Sequence, residues 1–147
     1  GLMLRETVTY RDFDDNERTE ELQFNLTRNE VMDLVTSGKI IIADIERALV
    51  AKDGVALYNA FRPLILKAYG QKSDDGRFFR KSAQISEDFE NSAVYDQFVV
   101  DLMTDPSGSK LYDFVVGILP KDVREQAVEM AKKEMGQSGN AIPLSTQ

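Results

Sequence analysis

Between Leu4 and Leu26 apolar and polar residues alternate. Val8 and Tyr10 alternate with Thr7, Thr9 and Arg11, and Leu22, Phe24 and Leu26 alternate with Gln23 and Asn25. A period of two places each set on one face of a strand. The polar run Asp12-Phe13-Asp14-Asp15-Asn16-Glu17 has turn composition, so the segment predicts a β-hairpin with one apolar face. A lone hairpin is marginal in water, so that face must pack on something else in the chain.

From Thr27 the spacing becomes helical. Thr27-Arg28-Asn29-Glu30 fits a capping box, Val31, Leu34 and Val35 follow, and Gly38 suits the end of the helix. The β-branched run Ile40-Ile41-Ile42 could begin extended, with a second helix from about Ile42 to Val50. After Asp53-Gly54 a third helix is expected over 55–69, with Leu57, Phe61, Leu64, Ile65 and Ala68 on one stripe. Pro63 should kink it or mark its true start, and Gly70 stops it. Ser73-Asp74-Asp75-Gly76 then signals a turn in a loop or short hairpin. Ser86 reads as the N-cap of a long helix reaching about Thr104, whose wide apolar surface includes Phe89, Tyr95, Phe98 and Leu102. Pro106 suits the first position of the next helix, with Leu111, Phe114, Val115 and Ile118 as its stripe. After Pro120 a last helix is expected over 123–135, with Val123, Ala127, Met130 and Ala131 on one face and Gly136 as its stop. The fold class is therefore mainly α, an N-terminal β-hairpin packed on a bundle of about six helices. It forms one domain over 1–136, with a loose tail expected over 137–147.

Composition agrees with a globular chain and narrows its chemistry. The 147 residues are 42% hydrophobic, with eight Phe and five Tyr, enough to build a core. A net charge of −7 disfavours nucleic-acid and anionic-membrane binding, and no apolar run approaches a bilayer span. No secretory signal is visible, which makes the cytoplasm the default location. Gly1 and Leu2 before Met3 are either native or a cloning remnant.

The chain has no Cys and no His, so disulfides, thiolate nucleophiles and the commonest general base near neutral pH are excluded. Asp12, Asp14 and Asn16 match the first ligand positions of a calcium loop, but Glu17 stands where its glycine belongs and Gln23 where its bidentate carboxylate belongs. Gly70 and Gly76 are spaced wrongly for a P-loop, and no Lys follows. No cofactor and no catalytic or metal site is expected. Arg77-Phe78-Phe79-Arg80-Lys81 combines aromatics and cations, as a single-stranded nucleic-acid site does. It is short and sits beside Asp74 and Asp75, and the same residue types also suit a protein contact.

Several stretches resemble the tail assembly chaperones of long-tailed phages of Gram-positive bacteria. These are Glu17-Arg18-Thr19-Glu20 leading into Phe24-Asn25-Leu26-Thr27; the central stretch from Leu66 to Phe78; Phe89, Ser92, Ala93, Tyr95 and Leu102-Met103; and Phe114 through Pro120. The resemblance covers roughly residues 4 to 125 and is most specific in the central stretch. Two departures stand out: the family turn usually has a glycine at or near Asp15, and an ordinary helix former stands where this chain has Pro63.

The resemblance implies a non-enzymatic protein of the bacterial host cytoplasm. It would bind the tape measure protein and help recruit tail tube subunits, with self-association possible. In many such phages a frameshift near the end of the short form yields a longer one, and Lys132-Lys133 is compatible with slippery codons. The candidate partner-binding residues are Arg77, Phe78, Phe79 and Arg80 in the loop, with Tyr95, Phe98, Leu102 and Phe114 on helical stripes that are either core or a groove for an amphipathic client. A structural virion component of the tail or connector, or a small nucleic-acid-binding regulator, are the alternative readings.

Overall fold

The computed structural model describes residues 3–138. The alternating segment forms β1 (Leu4–Arg11) and β2 (Glu17–Phe24), paired antiparallel with Leu4 opposite Phe24 and Val8 opposite Glu20. Val8, Leu22, Phe24 and Leu26 are buried and the other face is exposed, as the period requires.

Asp12 builds the turn. Its Oδ1 accepts from the backbone N–H groups of Asp14 (3.0 Å) and Asn16 (2.9 Å), and its Oδ2 from Arg18 Nε (2.6 Å). The Asn16 N–H and the Arg18 guanidinium hold the Asp12 carboxyl below its ordinary value. Asp15 takes φ +63°, the left-handed geometry in which a glycine is common, and Asp is among the few other residues that adopt it readily.

α1 (Arg28–Thr36) begins at the expected capping box: Thr27 Oγ1 accepts from the Glu30 N–H and a Glu30 oxygen accepts from the Thr27 N–H. Gly38, at φ +78°, ends it. α2 (Ile42–Ala51) follows, then α3 (Gly54–Ala68), which starts at the Asp53 cap and continues through Pro63. All five residues of its predicted stripe are buried. Two short strands, β3 (Gln71–Lys72) and β4 (Phe79–Arg80), form a second hairpin.

The long helix expected from Ser86 is two helices, α4 (Ala83–Glu90) and α5 (Ala93–Leu102). Ser82, not Ser86, caps the first, and Ser92 caps the second, accepting from the Tyr95 N–H and donating to the Phe89 carbonyl. Apolar periodicity runs through this break because both helices face one core. Pro106 also lies outside a helix. Asp105 accepts from Ser107 and Ser109 in a side-chain-built turn, and Gly108, at φ +82°, is the N-cap of α6 (Ser109–Ile118). α7 (Lys121–Ser138) starts two residues before the expected Val123 and passes Gly136. The predicted inward positions Met130 and Ala131 lie outside the residues whose side chains are described, as does the tail beyond Ser138. Arg124 on α7 donates to the carbonyls of Val116, Gly117 and Leu119, satisfying the C-terminal end of α6.

The described residues thus carry seven helices and two hairpins, mainly α with minor β. The core centres on Phe24, whose ring meets Phe114 (4.9 Å), Phe98 (5.4 Å), Tyr69 (6.0 Å) and Phe89 (6.1 Å). One strand of the first hairpin therefore supplies the hub around which α4, α5 and α6 pack.

Candidate functional site

The eight candidate residues separate into two groups. Tyr95, Phe98, Leu102 and Phe114 are buried. They do not form an open groove, because β1 packs against α5 and α3 against α6. Tyr95 sits with its hydroxyl 2.5 Å from that of Tyr58, and burial raises it well above the ordinary tyrosine value.

Arg77, Phe78 and Arg80 are at the surface and Phe79 is half-buried, all on or beside the β3–β4 hairpin. The root of this hairpin is tied down in three ways. Tyr69 bridges to Phe24 at the edge of β2. A Cβ on Gly70 would come within 2.6 Å of the Phe79 ring, so glycine is what lets that ring lie on the backbone. Lys81 Nζ donates to the Asn25 carbonyl (2.5 Å) and to both oxygens of Glu30 (2.8 and 3.0 Å).

The turn is held by its own side chains. Ser73 Oγ donates to Asp75 (2.8 Å) and accepts from the Phe78 N–H (3.0 Å), while Asp75 accepts from the Arg77 N–H (3.0 Å). These bonds, from Arg77 first and then Ser73, keep the Asp75 carboxyl below its ordinary value. The outcome is an aromatic ring, 51% exposed, with the Arg77 guanidinium 5.0 Å and the Arg80 guanidinium 5.6 Å from its centroid.

A second surface escaped the sequence reading. Val31 and Val35 of α1, Ile42 and Leu49 of α2, and Val123 and Ala127 of α7 line an apolar groove with about 100 Å³ of open space. Met32 and Ile41, which adjoin the lining residues Val31 and Ile42 in sequence, are exposed. Tyr112 of α6 contributes to the floor; its buried hydroxyl has no hydrogen-bond partner among the described residues, and burial pushes it up to about 12. Glu46 stands half-buried in the lining and makes no ion pair among the described residues. The run Ile40-Ile41-Ile42 was the available signal, since only Ile40 is needed in the core.

Among the described residues no acidic cluster is placed to hold a metal ion, and no helix is long and apolar enough to cross a membrane. No curated protein and no solved structure matches the chain. One family does, over residues 3–144, nearly the whole sequence and both surfaces. The chain belongs to the phage tail assembly chaperone family.

Proposed function

We propose that this protein is a non-enzymatic chaperone of the bacterial host cytoplasm that binds the tape measure protein and helps recruit tail tube subunits. The observation that carries the reading is the apolar groove between α1, α2 and α7, in a chain of this family. A long amphipathic helix exposes an apolar stripe that aggregates unless covered. At about 100 Å³ the groove has room for roughly one apolar side chain of such a stripe, with its neighbours at i+3 and i+4 meeting the exposed rim. Val35 and Ile42 offer apolar contact at the mouth, while the charged remainder of the surface keeps the complex apart from its neighbours.

Co-expression with the tape measure and tail tube proteins of the same phage tests the reading. The chaperone should co-purify with the tape measure protein, and Ile42→Glu, which places a carboxylate where the client's apolar face would lie, should weaken that binding roughly tenfold or more. Absence of binding to either partner, with both soluble and folded, would overturn it.

A further inference from the structure

We propose that the β3–β4 hairpin is a second docking site, separate from the groove, for a protein segment that carries an apolar side chain between carboxylates. The two charged groups that flank Phe78 are guanidiniums, whose planar fork pairs with carboxylates through two parallel hydrogen bonds. Between them the exposed ring offers an apolar face. Arg next to an aromatic is the side-chain chemistry that dominates protein interfaces.

The tip is also pre-ordered. The Ser73, Asp75 and Phe78 bonds fix the turn, Gly76 takes φ +76°, and Lys81 anchors the strand that follows. A partner therefore does not have to order the loop on binding.

Charge complementarity selects the occupant. Residues 71–81 carry Lys72, Arg77, Arg80 and Lys81 against Asp74 and Asp75, four positive charges to two negative on a chain of −7, so an acidic segment is repelled by most of the surface and directed to the Arg77–Arg80 side of this hairpin. The same count disfavours nucleic acid. Lys81 is already paired with Glu30, and Arg77 lies 3.7 Å from Asp75. That leaves Arg80 as the hairpin's only guanidinium without an ion pair among the described residues, too little charge to offset the repulsion of a phosphate backbone by the remaining surface.

The test uses the full chain and a fluorescein-labelled hexapeptide with leucine and phenylalanine between pairs of glutamates. At low salt the peptide should bind and should shift the amide resonances of Ser73 through Lys81 while leaving those of Ile42 through Leu49 in place. Arg77→Glu combined with Arg80→Glu should weaken binding by about tenfold or more, and Phe78→Ser should weaken it too. The Ile42→Glu variant should bind the peptide normally, so failure of the groove reading and failure of this one are separate results.

No shift of the hairpin amides at millimolar peptide would overturn the proposal. So would tighter binding at the hairpin of a single-stranded oligonucleotide than of the peptide. Self-association of the unmixed protein that the double Arg variant abolishes would assign the tip to a second copy of the chain, and would overturn it as well.

Discussion

β1–β2 and β3–β4 are both antiparallel hairpins, but the first has strands of eight residues and the second strands of two. The longer one pairs through eight positions and buries Val8, Leu22 and Phe24, with Phe24 fully inaccessible among four aromatic rings. The shorter one buries only part of Phe79. It is held by hydrogen bonds within its turn and by the tether from Lys81 to Glu30. Each hairpin leaves one phenylalanine outside, Phe13 at 84% in the first turn and Phe78 at 51% in the second, but among the described residues guanidiniums flank only Phe78. The difference between the hairpins is therefore the cations around the exposed ring and the hold on the strands.

The largest test of this contrast is Phe24→Ala. Removing a fully buried phenylalanine costs about 3–5 kcal/mol through lost transfer energy and the cavity left behind. Urea denaturation should show a loss in that range, with α4, α5 and α6 losing their common contact. A loss near 1 kcal/mol would mean that the first hairpin is no hub, and the contrast between the two would collapse.

A middle-sized effect concerns the tether. Burial alone would raise the Glu30 carboxyl, but the hydrogen bonds from Lys81 and from the Thr27 N–H outweigh it and hold the group below its ordinary 4.5. Lys81 moves the other way for a charged pair: burial lowers it more than Glu30 supports it. The pair thus combines attraction with a desolvation cost, and its net worth is modest. The Glu30 direction is the better guide to the attraction, because both carboxylate oxygens accept from Lys81 and one also accepts from Thr27.

Since the folded value lies below the unfolded one, this contribution is complete above the unfolded value and disappears as pH falls through the folded value. Urea midpoints measured from pH 7 down to pH 3 should therefore decline in the acid range, and Glu30→Gln should flatten that decline. Lys81→Met should be worse than Glu30→Gln, by about 1–3 kcal/mol against the unaltered chain, because it leaves a part-buried carboxylate with only the Thr27 N–H as partner. An unchanged acid profile in Glu30→Gln would show that the tether adds nothing to the hold on the second hairpin.

The same contrast explains what could be read from the sequence. The first hairpin was legible because burial of one face writes a period of two into residues 4–26. The Thr27 capping box and the α3 stripe were legible for the same local reason. The break at Asn91-Ser92 was not. Ser82, Ser86 and Ser92 can each cap a helix, and only the packing of α4 and α5 on one core chooses among them. Tyr95, Phe98, Leu102 and Phe114 could be read as core or as a groove because stripe width does not say what covers a stripe. The groove beside α7 draws two to four residues from each of five helices, so no single segment announces it.

The smallest expected effect is the sharpest. Phe78→Ser removes an aromatic ring from a protein with eight phenylalanines, yet it should change stability by less than about 1 kcal/mol. The ring is half in water already, and what it gives up in the folded chain is chiefly two exposed cation–π contacts, from Arg77 and Arg80. Its turn would survive, because the Ser73 contact to residue 78 uses the backbone N–H and not the ring. A melting curve that overlays the unaltered chain, measured on the same sample that has lost affinity for the acidic peptide, would separate recognition from folding at this residue. A loss approaching that of Phe24→Ala would instead make Phe78 part of the core's cooperative unit. The second hairpin would then be held through the core, as the first one is through Phe24, and Phe78 would not be free to meet a partner.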